Sequence, residues 1–177
     1  MDFHELLLHR HSIRKYTGEP ISADHVKLII EAALTAPTSK SKRPWNFIAV
    51  EDKEVLQKLS AFKPRYQASV ADATLAVVVT ADPEESDMFA EDCAIAAVFM
   101  QLQAEALGIC SCWVQVRGRY AEDDEPSENV VRDILGIPYS QVVECVVTFG
   151  YSAENRKPVD PEKLRWDKVH IGSWRAE

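Results

Sequence analysis

Residues 74–80 read TLAVVVT, an unbroken apolar run with no charged position on either side. Successive side chains of a strand point to opposite faces, so a run like this requires a sheet that is covered on both faces. QVVECVVTF (141–149) reads as a second long strand, with NFIAV (46–50) and ICSCWVQV (109–116) as two more. The covering layers are also legible. EDCAIAAVFMQLQAEALG is rich in Ala and apolar on most sides, which predicts a central buried helix closed by Gly108.

Shorter helices follow from their caps. Asp2 with Glu5 predicts a capping box opening a helix to about Leu8. Ser22 caps a helix whose stripe is Val26, Ile29, Ile30, Ala33 and Leu34, and Pro37 ends it. Asp52 starts a helix to about Leu59, and residues 126–135 form another that Gly136 stops. Helices and apolar strands alternate, so the expected class is α+β with α/β/α-like layers: a central mixed sheet covered by helices. With 177 residues and no repeat or low-complexity tract, a single domain over 1–177 is expected, with 150–177 as an extended arm.

The net charge of −8 opposes a general nucleic-acid or membrane-surface binder, because phosphate backbones and anionic lipids repel such a surface. No apolar run reaches the roughly 18–20 residues of a membrane span. The acidic start MDFHELLLHRHS has too short an apolar stretch for a secretory leader. Cys93, Cys110, Cys112 and Cys145 sit among apolar neighbours with no CxxC pair, which fits reduced thiols and a cytoplasmic setting.

Six glycines, at 18, 108, 118, 136, 150 and 172, cannot spell GxGxxG or GxxxxGK[ST]. HExxH and GxSxG are also missing, and no metal is expected. A phosphate would therefore have to be held by side chains. In HRHSIR, Arg10, Ser12 and Arg14 alternate, so an extended backbone puts them on one face. Arg10 and Arg14 would then stand roughly 13 Å apart, one for a terminal phosphate and one for a ring further along the same ligand. The same segment also reads as a solvent-facing basic turn. APTSKSKRPWNF (36–47) is a second polar, cationic loop, placed between a helix and a strand.

HRHSIRKYTGEPIS, LIIEAALTAPTSKSKRPWNFIAV, EDCAIAA…LQAEALGICSCW and LGIPYSQVVECVVTFGYSAENRKP occur in this order over nearly the whole chain. Together they resemble the FMN-dependent nitroreductase family in its short, single-domain form. The resemblance implies that Arg10 holds the FMN phosphate, that His11 and Ser12 touch the phosphate or ribityl chain, and that Arg14 lies near the N1 edge of the ring. Pro37, Thr38 and Ser39 would line the FMN of the other subunit in an intertwined homodimer, with the C-terminal arm exchanged. Ser41 and Arg43 stand where the family usually has Asn and Gln.

By the same resemblance, Val114, Gln115 and Val116 offer main-chain contacts at the ring edge. Gln115 is the candidate polar side chain over the active face, and no catalytic residue is otherwise assigned. Trp45 and Trp113 read mostly as core. Arg156 completes the phosphate clamp, although Glu154 stands where a second cation is usual; Arg119 lies outside the clamp. The implied activity is hydride transfer from NADH or NADPH through FMN to a nitroaromatic, quinone or flavin acceptor in a ping-pong cycle. Another FMN-dependent reaction on the same scaffold, or a non-catalytic flavin-binding module, stays open beside it.

Overall fold

The computed structural model describes residues 2–174. The Val-rich run is β2 (Leu75–Ala81), buried along its whole length. It pairs antiparallel with β1 (Trp45–Val50) on one side and with β4 (Val142–Gly150) on the other. β3 (Cys110–Gln115) pairs antiparallel with β4, so the sheet order is β1-β2-β4-β3.

The expected mixed sheet is thus an antiparallel one. Among the described residues, parallel pairing is confined to the single contact of Ser12 with Ser111. The reason lies in the path of the chain. Helix α5 (Phe89–Ala106) carries it from β2 to β3 in the same direction, as a parallel crossover would, but β4 then inserts antiparallel between the two.

Layering follows from the alternation of side chains. Leu75, Val77, Val79 and Ala81 face α5 and α2 (Ala23–Leu34). Ala76 and Val78 face α3 (Lys53–Leu59), α4 (Gln67–Ala71) and α6 (Ser127–Leu135). The local chemistry is as read: Asp2 and Glu5 form the capping box of α1 (Phe3–His9), Ser22 accepts from His25, and Asp52 accepts from Val55. Gly108 and Gly136 take the left-handed conformation that closes α5 and α6. Two faces are more open than their patterns suggest: Leu34 on α2, and Ile95, Val98 and Phe99 on α5, are all exposed.

One irregularity matters for the site. Val79 pairs with Cys145 but Thr80 pairs with Val143, so Glu144 bulges out of the ladder with its side chain almost fully buried.

The N-terminal segment is laid on the sheet rather than left free. Ile13 N–H donates to the Ser111 carbonyl and Thr17 N–H to that of Tyr151. Ala153 N–H donates to Lys15 and Val159 N–H to Leu8, so residues 151–159 run back along residues 8–17. Tyr16 is buried on Gly150, and its hydroxyl donates to the Ile13 carbonyl at 2.8 Å while sharing a hydrogen bond with Thr148 Oγ1 at 2.8 Å. Burial raises the phenol pKa, so it stays neutral. Beyond this clamp the chain turns outward, and Trp166, Ile171 and Trp174 are exposed.

A Cβ at position 150 would lie 2.7 Å from Tyr16 Cδ1. Gly150→Ala is therefore expected to cost about 1–3 kcal/mol through overpacking and to lower Tm by about 3–8 °C in thermal circular dichroism. An unchanged Tm would show that Tyr16 moves aside freely.

Candidate functional site

The antiparallel run of 151–159 beside 8–17 sets Arg156 opposite the Arg10–Ser12 stretch. Arg10, His9 and His11 lie near Glu105 of α5, and their positive charges oppose the upward pKa shift that burial imposes on that carboxyl. His11 Nδ1–H donates to the His9 carbonyl at 2.6 Å. Arg14 donates weakly to the Ser12 carbonyl and places its guanidinium 5.4 Å from the centre of the Tyr66 ring. Arg156 is occupied by Glu154, whose Oε2 accepts from its Nε at 3.1 Å and its Nη2 at 2.8 Å.

β3 is the strand beside this segment. Val116 N–H donates to the Glu144 carbonyl, so even-numbered main-chain groups of β3 face β4. The odd-numbered ones, Trp113 and Gln115, point outward along the edge. The main-chain groups of Val114 and Val116, expected at the ring edge, thus turn toward β4. Both have side chains in the core, and the Val116 N–H already has its acceptor.

The Gln115 side chain is tied down by its neighbours. Its Nε2 donates to the Glu144 carbonyl and carboxylate and to the Arg117 carbonyl, while its Oε1 accepts from Trp113 Nε1 at 2.9 Å. Arg117 Nε donates to the other Glu144 oxygen, and this bond raises the Arg117 pKa.

A cavity of about 440 Å³ opens against Val114 and Gln115, and its remaining wall is Lys63, Arg65, Tyr66, Trp113 and Arg119. Sequence reading missed Lys63, Arg65 and Tyr66, and it set Arg119 aside as remote. The signal was present as two similar tetrapeptides, KPRY (63–66) and RGRY (117–120). Ser127 holds them together: its N–H donates to the Arg119 carbonyl at 2.9 Å and its buried hydroxyl to the Phe62 carbonyl at 2.7 Å. Burial, then Arg119 and Arg65, push the Lys63 pKa below its ordinary value.

The 36–47 loop is built separately. Ser39 N–H donates to Asp92 Oδ1 at 2.8 Å, and Ser86 donates to the other carboxylate oxygen. Thr38 Oγ1 accepts from Arg43 N–H, and Lys40, Ser41 and Arg43 all have φ near +50°, a conformation costly outside glycine. Trp45 is buried in the core with Phe47 at 5.0 Å, as read.

Pro37, Thr38, Ser39, Ser41 and Arg43 are not brought to the clamp within one chain. The loop feeds β1, at the opposite sheet edge from β3, across three strand spacings or roughly 14 Å. Along α5, Asp92 beside the loop and Glu105 beside the clamp are also roughly 20 Å apart.

Among the described residues no cluster of His, Cys, Asp and Glu is placed to hold a metal. All four thiols are free. Burial pushes Cys93 up to about 12, with the Glu144 and Asp92 charges adding to it, and burial also raises Cys110, Cys112 and Cys145.

The model of the nitroreductase family matches residues 7–65 and 57–151. A protein of Archaeoglobus fulgidus with the provisional name NADH dehydrogenase/NAD(P)H nitroreductase is 35% identical, over 96% of this chain and 97% of its own. An FMN-dependent nitroreductase from Clostridium difficile superposes with a TM-score of 0.94 at 40% identity, covering 97% of this chain and 99% of that one. An NADPH:FMN oxidoreductase from Vibrio harveyi, complexed with NAD+, superposes with a TM-score of 0.81 at 25% identity, covering 99% and 79%.

The raised thiol pKa values predict slow chemistry. At pH 7.5 a disulfide reagent such as DTNB should modify half-buried Cys110 first, and the other three only on denaturation. Rapid titration of all four in the native protein would contradict this.

Proposed function

This chain belongs to the nitroreductase family, and from that premise we propose that it is an FMN-dependent NAD(P)H oxidoreductase working on small nitroaromatic, quinone or flavin acceptors by a ping-pong cycle. The observation that carries the reading is the convergence of Arg10, Ser12, Arg14 and Arg156 along one edge of the sheet. The fit to FMN is chemical. One end of the edge offers guanidinium and hydroxyl groups for a phosphate, and the other offers outward main-chain groups of Trp113 and Gln115 beside a cavity. When bound, FMN supplies the hydride chemistry that side chains lack.

The residues bind and orient. Arg10 pairs with the phosphate, and Ser12 adds a hydroxyl. Arg14, held against Tyr66, favours negative charge on the nearby ring edge. Arg156 exchanges Glu154 for phosphate. The Glu144, Arg117 and Gln115 network keeps β3 in place and needs no proton transfer of its own; protons come from water.

A second copy of the chain completes the site. The 36–47 loop and the clamp occupy opposite sheet edges, so both reach one ligand only if a partner supplies one of them. Apolar surface supports this: a groove of about 530 Å³ includes Phe3, Leu28 and Phe99, and the arm exposes Trp166, Ile171 and Trp174. Burying the arm on the partner accounts for its large apolar side chains. One domain over 1–177 and a reducing, cytoplasmic setting fit the same reading; among the described residues no helix is long and apolar enough to cross a membrane.

Purified protein is expected to bind FMN, show a yellow spectrum and bleach on adding NADH or NADPH, with light scattering giving the mass of a dimer. Binding without bleaching would leave only a flavin carrier. Arg10→Ala should weaken FMN binding by about 10–100-fold, as for loss of a charge-assisted contact. Lys58→Ala, on an exposed face of α3, should leave it unchanged. Glu154→Gln frees Arg156 and should tighten FMN by up to about fivefold, the scale of a part-exposed ion pair. Weaker binding in that variant would remove Arg156 from the clamp.

A further inference from the structure

Lys63, Arg65 and Arg119 converge on the cavity beside β3, and among the described residues none of them meets a carboxylate. Four other arginines of this chain do, Arg117 with Glu144, Arg132 with Glu128, Arg156 with Glu154 and Arg165 with Asp167, whereas Arg10, Arg14 and Arg43 also form no ion pair among the described residues. In a chain of net charge −8, three cations gathered without a counterion are unfavourable unless a ligand brings negative charge. The acidic residues 122–125 follow Arg119 closely in the chain, but none of them forms an ion pair with the trio.

The arrangement is also fixed. Buried Ser127 ties the Arg119 carbonyl to one side and the Phe62 carbonyl, next to Lys63, to the other. The lowered pKa of Lys63, from burial and then from Arg119 and Arg65, has the direction expected of cations held close together. The walls facing these charges are aromatic, Tyr66 and Trp113. The FMN phosphate has its own cations in Arg10 and Arg156, which leaves this trio unmatched.

We propose that the co-substrate entering this cavity is an anion on a planar ring, and that Lys63, Arg65 and Arg119 select it by its charge; the proposal rests on the flavin-dependent reading above. The shared chemistry is an anionic oxygen group next to an aromatic or quinoid ring. Its source is a carboxylate or sulfonate on the acceptor.

Direct binding tests the site without turnover. Titrating the FMN-loaded protein with benzoate and with benzamide, followed by tryptophan fluorescence, should give at least ten-fold tighter binding of benzoate. Arg119→Gln and the Lys63→Gln/Arg65→Gln pair should each reduce that preference to below three-fold. Retention of Tm by these variants excludes unfolding as the cause, and Ser127→Ala, which keeps its N–H bond to Arg119 but loses the hydroxyl bond to Phe62, should weaken the preference by loosening the segment that carries Lys63 and Arg65.

Kinetics with the loaded enzyme tests the acceptor directly. If the acceptor carries the charge, kcat/KM for 4-nitrobenzoate falls at least five-fold in Arg119→Gln, while that for 4-nitrobenzyl alcohol stays within two-fold. A collapse of the NADPH to NADH ratio of kcat/KM instead would assign the trio to the ribose phosphate of NADPH and overturn the proposal. Equal binding of benzoate and benzamide, or a preference untouched by all the substitutions, overturns the proposal. Protein that takes up no FMN but still prefers benzoate sinks the flavin reading and leaves the anion site standing.

Discussion

The packing of Tyr16 on Gly150 is the contact from which the site is assembled. Position 150 must lack a Cβ for the ring to lie against the end of β4, and the hydroxyl then finds the Ile13 carbonyl and Thr148 within the protein. That fixes the N-terminal segment along β3, where Ile13 takes the outward carbonyl of Ser111. An edge strand with free main-chain groups is ordinarily an aggregation hazard. Here the first part of the edge is covered by the chain's own N-terminus, and the rest, at Trp113 and Gln115, opens on the cavity.

A buried carboxylate does the corresponding work at the far end of β3. The bulge at Glu144 leaves its carbonyl to accept from both Val116 and Arg117, while its carboxylate takes Gln115 and Arg117. Removing one member would strand a buried charge, which is more damaging than the pair's net contribution is stabilising. The network therefore acts as a positional device: it sets where the strand ends and the turn carrying Arg119 begins. Ser127 repeats the logic with a neutral group, joining that turn to the segment carrying Lys63 and Arg65.

Much of this was legible from residues a few positions apart. Asp2 with Glu5, Ser22, Asp52, Gly108 and Gly136 mark helix ends through contacts within one turn, so sequence order is enough to read them. The uninterrupted run at 74–80 likewise announced a strand covered on both faces. Strand order was not legible, because the insertion of β4 between β2 and β3 is decided by packing between residues far apart in the chain. The site divides in the same way. Arg10, Ser12 and Arg14 lie on one short segment whose alternation is visible, whereas Lys63, Arg65 and Arg119 meet only through Ser127. The hydrogen bonds of Gln115 were not legible for a related reason: its partner Glu144 lies on another strand, and a bulge has no reliable local signature.

The charge distribution argues for a direction of binding along β3. Ser111, against Ser12, and Gln115, at the cavity, are separated by roughly 13 Å of extended strand. Cations stand at both ends, but in different states. At the first end Arg156 is already paired with Glu154 and Arg10 lies near Glu105, so an incoming phosphate competes with carboxylates. At the second end the trio faces no carboxylate among the described residues. A doubly charged phosphate can displace a part-exposed ion pair, because it accepts several charge-assisted hydrogen bonds at once. A singly charged ring substituent makes fewer, and gains most where no competitor is present. On the proposed reading the two ends match different anions: a tightly held phosphate beside Arg10, and a smaller, exchanging charge beside Arg119.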